Sequence, residues 1–212
     1  MKNIVIIDYN LGNIKSIVNA FQNFKIELTI SDKKEEILNA DALILPGVGS
    51  FSQGMKNLKE KDLIETIQEY SKTGKPLLGI CLGMQLLFSK SFEFGESDGL
   101  DIIKGSVEKL DVPKNTKLPH ISWNEIYQNN KWEDTIFNGL DEYSNVYFVH
   151  SYACNPINKD LVLSYTNYFG VEFCSSVNKG QIYGCQFHPE KSSKVGLLII
   201  ENFIKLAGLN NE

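Results

Sequence analysis

Hydrophobic positions in the N-terminal part of the chain alternate between short continuous runs and helical spacing. The continuous runs predict four buried strands, at Ile4–Ile7, Ile26–Ile30, Ala42–Leu45 and Pro76–Ile80. Amphipathic spacing predicts helices between and after them, at Asn13–Phe24, Lys33–Leu38, Leu58–Thr73 and Leu82–Lys90. Apolar strands that alternate with helices indicate an α/β fold, with a mostly parallel central sheet and helices on both faces.

After Gly95 the pattern changes to short strands separated by turns. These strands are predicted at Val107–Leu110, Glu125–Tyr127, Val146–Val149, Val162–Tyr165, Phe173–Val177 and Ile182–Phe187. Asn178-Lys-Gly-Gln between the last two is typical of a hairpin turn, and a final helix is predicted at Ser193–Lys205. We therefore expect one domain over residues 1–212, in which a small antiparallel extension returns to the main sheet.

Two motifs carry candidate chemistry. Gly79-Ile-Cys81-Leu-Gly83 joins a buried strand to a helix and is the cysteine counterpart of the nucleophile elbow, with small neighbours around the sulfur. The helix directs its first N–H groups toward that sulfur, an arrangement that favours negative charge. Gln186-Phe-His188-Pro-Glu190 supplies a base and a carboxylate to orient it. The pattern predicts a catalytic triad of Cys81, His188 and Glu190.

A glycine-rich turn, Pro46-Gly-Val-Gly49-Ser, follows the third strand. The carboxyl ends of parallel strands share one edge of the sheet, and ligands bind beyond that edge. We therefore expect the backbone amides of Gly49 and Leu82 to form an oxyanion hole beside Cys81. A plain glycine turn with no role in catalysis is the alternative.

Composition and charge restrict the class of protein. The chain is 42% hydrophobic and 22% charged with a net charge of −5, which is typical of a soluble protein and disfavours nucleic acid as a partner. We expect no membrane association, because no apolar run approaches the roughly 20 residues of a membrane span. The four cysteines, Cys81, Cys154, Cys174 and Cys185, show no metal-binding spacing, so we expect no metal, no cofactor and a cytoplasmic location.

With Asp8-Tyr9, Pro119-His120 and Tyr147-Phe-Val-His-Ser-Tyr152, these motifs resemble the class I glutamine amidotransferases over essentially the whole chain. Within that family the chain is similar to the glutaminase subunits of imidazole glycerol phosphate synthase. The resemblance implies a flavodoxin-like fold, no cofactor, and hydrolysis of glutamine to glutamate and ammonia through a thioester on Cys81. It also implies that His188 moves protons and that Glu190 orients His188.

The same resemblance implies a heterodimer with a (β/α)8-barrel synthase subunit. That subunit would receive the ammonia through a channel and make imidazole glycerol phosphate and AICAR in histidine biosynthesis. Substrate-binding positions carried over from the family are Gly47, Gln85, His150, Ser151 and Tyr152. Positions carried over for the partner interface are Trp123, Asn124, Tyr147 and Lys191.

Two departures from the family pattern leave the acceptor of the ammonia open. Ser122 and Asp101 stand where the family usually has glycine. A paralogous branch that supplies ammonia for nitrogen-containing surface sugars is therefore an alternative. The glutaminase of pyridoxal phosphate synthase is disfavoured because its Gly-Gly-Glu-Ser-Thr signature is missing. A redox- or carbonyl-sensing flavodoxin-like protein, which would not be an enzyme, generally lacks the His-Pro-Glu motif.

Overall fold

The computed structural model describes residues 3–24 and 26–209. Its strands are β1 (Ile4–Ile7), β2 (Leu28–Ser31), β3 (Ala42–Leu45), β4 (Leu77–Ile80), β5 (Phe88–Ser91), β6 (Ser97–Asp98), β7 (Ile103–Lys109), β8 (His120–Gln128), β9 (Ser144–His150), β10 (Tyr152–Pro156), β11 (Val162–Tyr168), β12 (Val171–Lys179) and β13 (Ile182–Cys185). Its α-helices are α1 (Ile14–Phe21), α2 (Lys34–Asn39), α3 (Phe51–Glu60), α4 (Ile64–Tyr70), α5 (Leu82–Leu86) and α6 (Ser193–Leu206).

A parallel block of strands in the order β2-β1-β3-β4-β13 carries the active-site edge. Its strands are fully buried except β2, and successive side chains enter opposite cores. Ile4 and Ile6 pack with α1 and α6, whereas Val5 and Ile7 pack with α2, α3, α4 and α5. Helices on both faces of this parallel block confirm the predicted α/β fold class.

The rest of the sheet is mainly antiparallel and larger than predicted. From β13 the order continues through β12, β10 and β7 to β5 and β6, and β11, β8 and β9 branch from β12. The hairpin predicted at Asn178-Lys-Gly-Gln is confirmed, since Lys179 pairs with Ile182 and Gly180 has φ 61°. No helix in the described part of the chain is long and apolar enough to cross a membrane.

The single helix predicted at Leu58–Thr73 is wrong, because the structure has α3 and α4 there. Asp62 adopts φ 54° at the break, and the N–H groups of Asp62 and Leu63 donate back to carbonyls of α3 at 3.0 and 2.9 Å. This arrangement ends a helix. Leu58, Leu63 and Ile67 are all buried on the same side, so the hydrophobic spacing continues across the break.

The helix predicted at Leu82–Lys90 is also wrong at its C-terminal end. The observed helix α5 ends at Leu86, and Phe88 starts a strand that pairs with β7. Phe88 is fully buried in the sheet, and this tertiary pairing outweighs the helical spacing of the segment. The strands β5, β6 and β10 were not predicted, because each is short and lacks a long apolar run.

Helix α5 lies unusually close to the carboxyl end of β3. A Cβ atom at Gly83 would stand 1.8 Å from the backbone oxygen of Leu45. Gly54, in α3, faces only the side-chain ends of Leu82 and Leu86, at 3.2 Å or more. The glycine at position 83 is therefore a packing requirement, since backbone cannot yield as a side chain can.

We expect Gly83→Ala to lower the free energy of unfolding by at least about 2 kcal/mol, because the added methyl group overpacks backbone. Gly54→Ala is the matched control, where helix propensity gains about 1 kcal/mol and offsets a tight but yielding contact. Urea unfolding followed by circular dichroism measures both. Equal stability of the two variants would contradict the close approach of α5 to β3.

Candidate active site

Cys81 occupies the sharp turn between β4 and α5. Its backbone has φ 55° and ψ −109°, a region that residues other than glycine rarely adopt. Its N–H donates to the Cys185 carbonyl at 2.7 Å. Gly79 is buried, and a Cβ there would lie 2.8 Å from the Gly83 oxygen. The flanking glycines therefore let the elbow fold tightly onto itself, rather than only leaving room for substrate.

His188 and Glu190 form a buried pair beside this elbow. His188 Nδ1 lies 2.7 Å from Glu190 Oε1, and both side chains are 2% exposed. The other ring nitrogen, Nε2, is buried with no well-formed hydrogen bond in the described part of the chain. Burial by itself lowers the pKa of His188, but the nearby Cys81 and the hydrogen-bonded Glu190 carboxylate outweigh burial and raise that pKa to about 10.

The segment that carries this pair is tied to β9 and to α6. The His188 N–H donates to the Tyr147 carbonyl at 3.0 Å, and Ser192 Oγ donates to the His188 carbonyl at 2.7 Å. Ser192 Oγ also accepts from the Tyr147 N–H at 3.0 Å. A Cβ at Gly196 would lie 1.8 Å from the Pro189 oxygen, so α6 packs directly on this turn.

A cavity of about 480 Å³ opens beside Cys81. It contains most of the positions predicted for substrate and oxyanion binding: Gly49, Leu82, Gln85, His150, Ser151 and Tyr152. Gly47 does not line the cavity. A Cβ at Gly47 would lie 2.6 Å from Tyr9 Oη and 2.8 Å from Leu82 Cβ, so this glycine lets its segment pack against the elbow.

Tyr9 anchors the glycine segment from inside the core. Its hydroxyl group donates to the Pro46 carbonyl at 2.5 Å, and its own carbonyl accepts from Asn57 Nδ2 at 2.9 Å. Burial and the nearby Cys81 raise the pKa of Tyr9, which keeps its proton as the donor. Beyond this anchor Gly49 is exposed and has φ 108°, a conformation that favours glycine.

Three of the four residues predicted for a partner interface form a surface cluster next to the cavity. The rings of Trp123 and Tyr147 are 6.1 Å apart, and Lys191 Nζ lies 5.9 Å from the Tyr147 ring centre. Lys191 also lines the cavity. Asn124 follows Trp123 on β8 and donates instead to the Asn167 carbonyl at 2.9 Å. Its role at an interface stays a prediction.

Sequence reasoning missed two polar side chains of the site. Glu93, whose carboxylate accepts from the Phe51 N–H at 2.6 Å, lines the cavity together with the 85% exposed Phe94. Gln186, fully buried, lies with its Nε2 atom 3.9 Å from Cys81 Sγ. Gln186 lies two residues before His188 in the motif Gln186-Phe-His-Pro-Glu190, but Glu93 follows an unpredicted strand and has no sequence signal.

The departures Ser122 and Asp101 lie outside the cavity lining. Asp101 has φ 55°, which explains why glycine suits this position, and its carboxylate contacts Lys104 Nζ at 2.5 Å. The Lys104 hydrogen bond lowers the pKa of Asp101. Among the described residues no cluster of histidine, cysteine or acidic side chains is suited to hold a metal ion.

The other two histidines form a buried dyad next to the cavity. His120 Nδ1 lies 3.1 Å from His150 Nε2, and His150 Nδ1 donates to the Tyr152 carbonyl at 2.9 Å. Since Nδ1 of His150 is the donor, its Nε2 accepts from His120. Burial lowers the pKa of His120 to about 4 and that of His150 to about 3.

These features define a class of protein, the cysteine hydrolases in which a nucleophile elbow and a His-Glu pair lie at the edge of an α/β sheet. Consistent with this, the family model for glutamine amidotransferase class-I matches residues 5–206. The chain belongs to that family. A crystal structure described as a glutamine amidotransferase has the same fold, with a TM-score of 0.73 and 20% identity over 96% of this chain and 98% of that one.

Two curated relatives point to a more specific member of this family. The chain is 44% identical to imidazole glycerol phosphate synthase subunit HisH 1 of Legionella pneumophila (strain Paris), over 97% of this chain and all of the relative. It is 46% identical to imidazole glycerol phosphate synthase subunit HisH of Bacillus mycoides (strain KBAB4), over 94% of this chain and 93% of the relative.

The histidine pKa shifts affect stability at opposite ends of the pH range. The raised pKa of His188 stabilises the fold fully below the unfolded value of 6.5, and this contribution is lost as pH rises toward about 10. The lowered pKa values of His120 and His150 act in the other direction. Their contribution is present above 6.5 and is lost as pH falls toward about 4 and about 3.

We expect one histidine to be charged and two to be neutral at pH 7. With only three histidines in the chain, their Cε1–H signals in nuclear magnetic resonance spectra can be assigned by single substitutions. Between pH 5.5 and 8.5 none of the three should titrate fully, and Glu190→Gln should bring the His188 midpoint down. If all three histidines titrated near the unperturbed value of about 6.5, the expected pKa shifts would be refuted.

Proposed function

We propose that this chain is the glutaminase subunit of an imidazole glycerol phosphate synthase. It hydrolyses glutamine to glutamate and ammonia, and the ammonia passes to a separate synthase subunit. The observation that carries the proposal is the buried His188–Glu190 pair, which is hydrogen-bonded at 2.7 Å beside the left-handed elbow of Cys81. The full-length similarity to subunits of that synthase supports the pathway over the surface-sugar alternative.

The first half of the reaction forms a thioester. Cys81 Sγ, as the thiolate, attacks the carboxamide carbon of glutamine, and the resulting tetrahedral intermediate carries negative charge on oxygen. His188, which is charged at neutral pH because its pKa is raised, donates its proton to the nitrogen as the C–N bond breaks. Ammonia leaves and the γ-glutamyl group stays on sulfur.

The second half of the reaction releases glutamate. His188, now neutral, takes a proton from water, and the hydroxide attacks the thioester carbon. The C–S bond breaks, glutamate leaves and the cysteine is restored. Glu190 holds Nδ1 of the imidazole at 2.7 Å, which keeps Nε2 free for the proton transfers and stabilises the charged form of His188.

The cavity suits a small zwitterion. Glu93 contributes a carboxylate and Lys191 an ammonium group to its lining, which match the two charges of an amino acid. Leu82 stands at the N-terminus of α5, where the backbone N–H has no intrahelical acceptor and can bind the negative oxygen of the intermediate. Gly49 also lines the cavity and is proposed as the second donor.

The partner is proposed to be a (β/α)8-barrel synthase subunit that forms a heterodimer with this chain in the cytoplasm. The cluster of Trp123, Tyr147 and Lys191 next to the cavity supports its location. Trp123 is 49% exposed and Ile121, two residues earlier on β8, is 50% exposed. Exposed aromatic and aliphatic side chains at a cavity mouth are typical of interface centres, and a partner there would keep ammonia out of water.

Replacing the nucleophile tests the chemistry. We expect Cys81→Ala to reduce glutamate release from glutamine by more than about a thousandfold, because no thioester can form. The thermal unfolding temperature should change little, and Cys154→Ala is the control in a buried cysteine outside the cavity. Residual activity within about tenfold of wild type would exclude the proposed mechanism.

Addition of the partner tests the coupling. Gly49 is exposed and glycine peptides rotate at little steric cost, so the oxyanion donor can be set by docking. We expect glutaminase turnover to rise by about two to three orders of magnitude when a barrel subunit with its substrate is added, which corresponds to about 3–4 kcal/mol. Trp123→Ala should weaken this stimulation. Equal rates with and without the partner would show a preformed oxyanion hole.

A further inference from the structure

A chain of side-chain amides connects the cavity wall to the sulfur of Cys81. Gln85 Nε2 donates to the Tyr152 carbonyl and to Gln186 Oε1, both at 3.0 Å. Gln186 Nε2 in turn lies 3.9 Å from Cys81 Sγ. Gln85 is 6% exposed and Gln186 is fully buried, so water does not compete readily for these groups.

The direction of this chain is set by the Tyr152 carbonyl. A backbone carbonyl can only accept, and it already accepts from His150 Nδ1 at 2.9 Å. Gln85 must therefore turn its NH₂ group toward Tyr152, and the same NH₂ group meets Gln186. Gln186 must then present its oxygen to Gln85, which leaves its own NH₂ group to face the sulfur.

We propose that Gln186 is a positioning residue that donates a hydrogen bond to the sulfur of Cys81 and holds it as a thiolate facing the cavity. The proposal deepens the function proposed above, since it concerns the same nucleophile. A neutral donor matters here because the Cys81 thiol can itself donate to the Val149 carbonyl at 3.9 Å, a contact that favours the thiol and becomes repulsive once the sulfur is negative. His188 must give up its proton to the leaving nitrogen, whereas Gln186 keeps its own throughout the reaction.

The rate of alkylation by iodoacetamide measures the reactivity of the Cys81 sulfur and requires no glutamine. Intact-mass spectrometry gives the rate at each pH from 5.5 to 9.5, with Cys81→Ala as the background, and the thiolate is the form that reacts. Gln186→Met keeps the length of the side chain and removes the donor. We expect its rate at pH 7 to fall about tenfold and the half-maximal rate to move to higher pH, as for loss of a hydrogen bond to a charged group.

Two further variants test the direction of the chain. Gln186→Glu places a carboxylate at the sulfur and should slow alkylation more than Gln186→Met does. Gln85→Glu cannot donate to Gln186, so the Gln186 amide turns its oxygen to the sulfur and the rate should fall as well. Gln68→Met is the matched control, because it removes a similar bond to the Leu100 carbonyl, at 2.9 Å, outside the cavity.

Steady-state kinetics separates a positioning role from a purely structural one. For Gln186→Met we expect kcat to fall with the alkylation rate while KM for glutamine stays within about twofold. Thermal unfolding identifies any variant that does not fold, and Gln85→Glu provides an independent test if Gln186→Glu fails to fold.

Superimposable alkylation profiles for wild type and folded Gln186→Met would overturn the proposal. Its outcome is separate from that of the proposed function. If the wild-type chain released no glutamate but the Gln186 variants showed the expected alkylation shifts, the glutaminase assignment would be refuted and Gln186 would remain the donor to the sulfur. If the wild-type chain released glutamate but the alkylation profiles did not shift, the glutaminase assignment would stand and the role of Gln186 would be refuted.

Discussion

The close contact between α5 and the carboxyl ends of β3 and β4 is the constraint on which the site depends. It requires glycine at positions 79 and 83, because any Cβ there would meet backbone at 2.8 Å or less. The same contact forces the residue between them, Cys81, into a left-handed conformation with φ 55°. The nucleophile is exposed to the cavity because the surrounding packing over-determines this turn.

The charges of the site follow from differences in burial and partner. All three histidines are buried, yet among the described residues only His188 has a carboxylate at its ring nitrogen. His120 and His150 have only each other and a backbone carbonyl as partners, so burial keeps them neutral. The neutral dyad contacts the Tyr152 carbonyl through His150, while the charged His188 is the group that we propose to supply the proton.

Two parts of the site differ in how firmly they are held. Gln85 and Gln186 are buried, and Gln85 donates to Gln186 and to the Tyr152 carbonyl. The glycine segment is anchored at Pro46 by Tyr9 but is exposed two and three residues later, at Val48 and Gly49. The buried amides hold Cys81 in place, and we propose that the exposed glycine segment is the part that a docking partner adjusts.

The sequence by itself determined the parallel core and the elbow and predicted the triad, because these depend on local signals: continuous apolar runs, glycine at fixed offsets and the His-Pro-Glu turn. Tertiary structure alone decided the rest. Phe88 begins a strand because it pairs with β7. The helix predicted at Leu58–Thr73 is two helices separated at Asp62, although the apolar face continues across the break. Glu93 and the orientation of Gln186 depend on contacts between residues 42 and 105 positions apart, respectively, which no local pattern records.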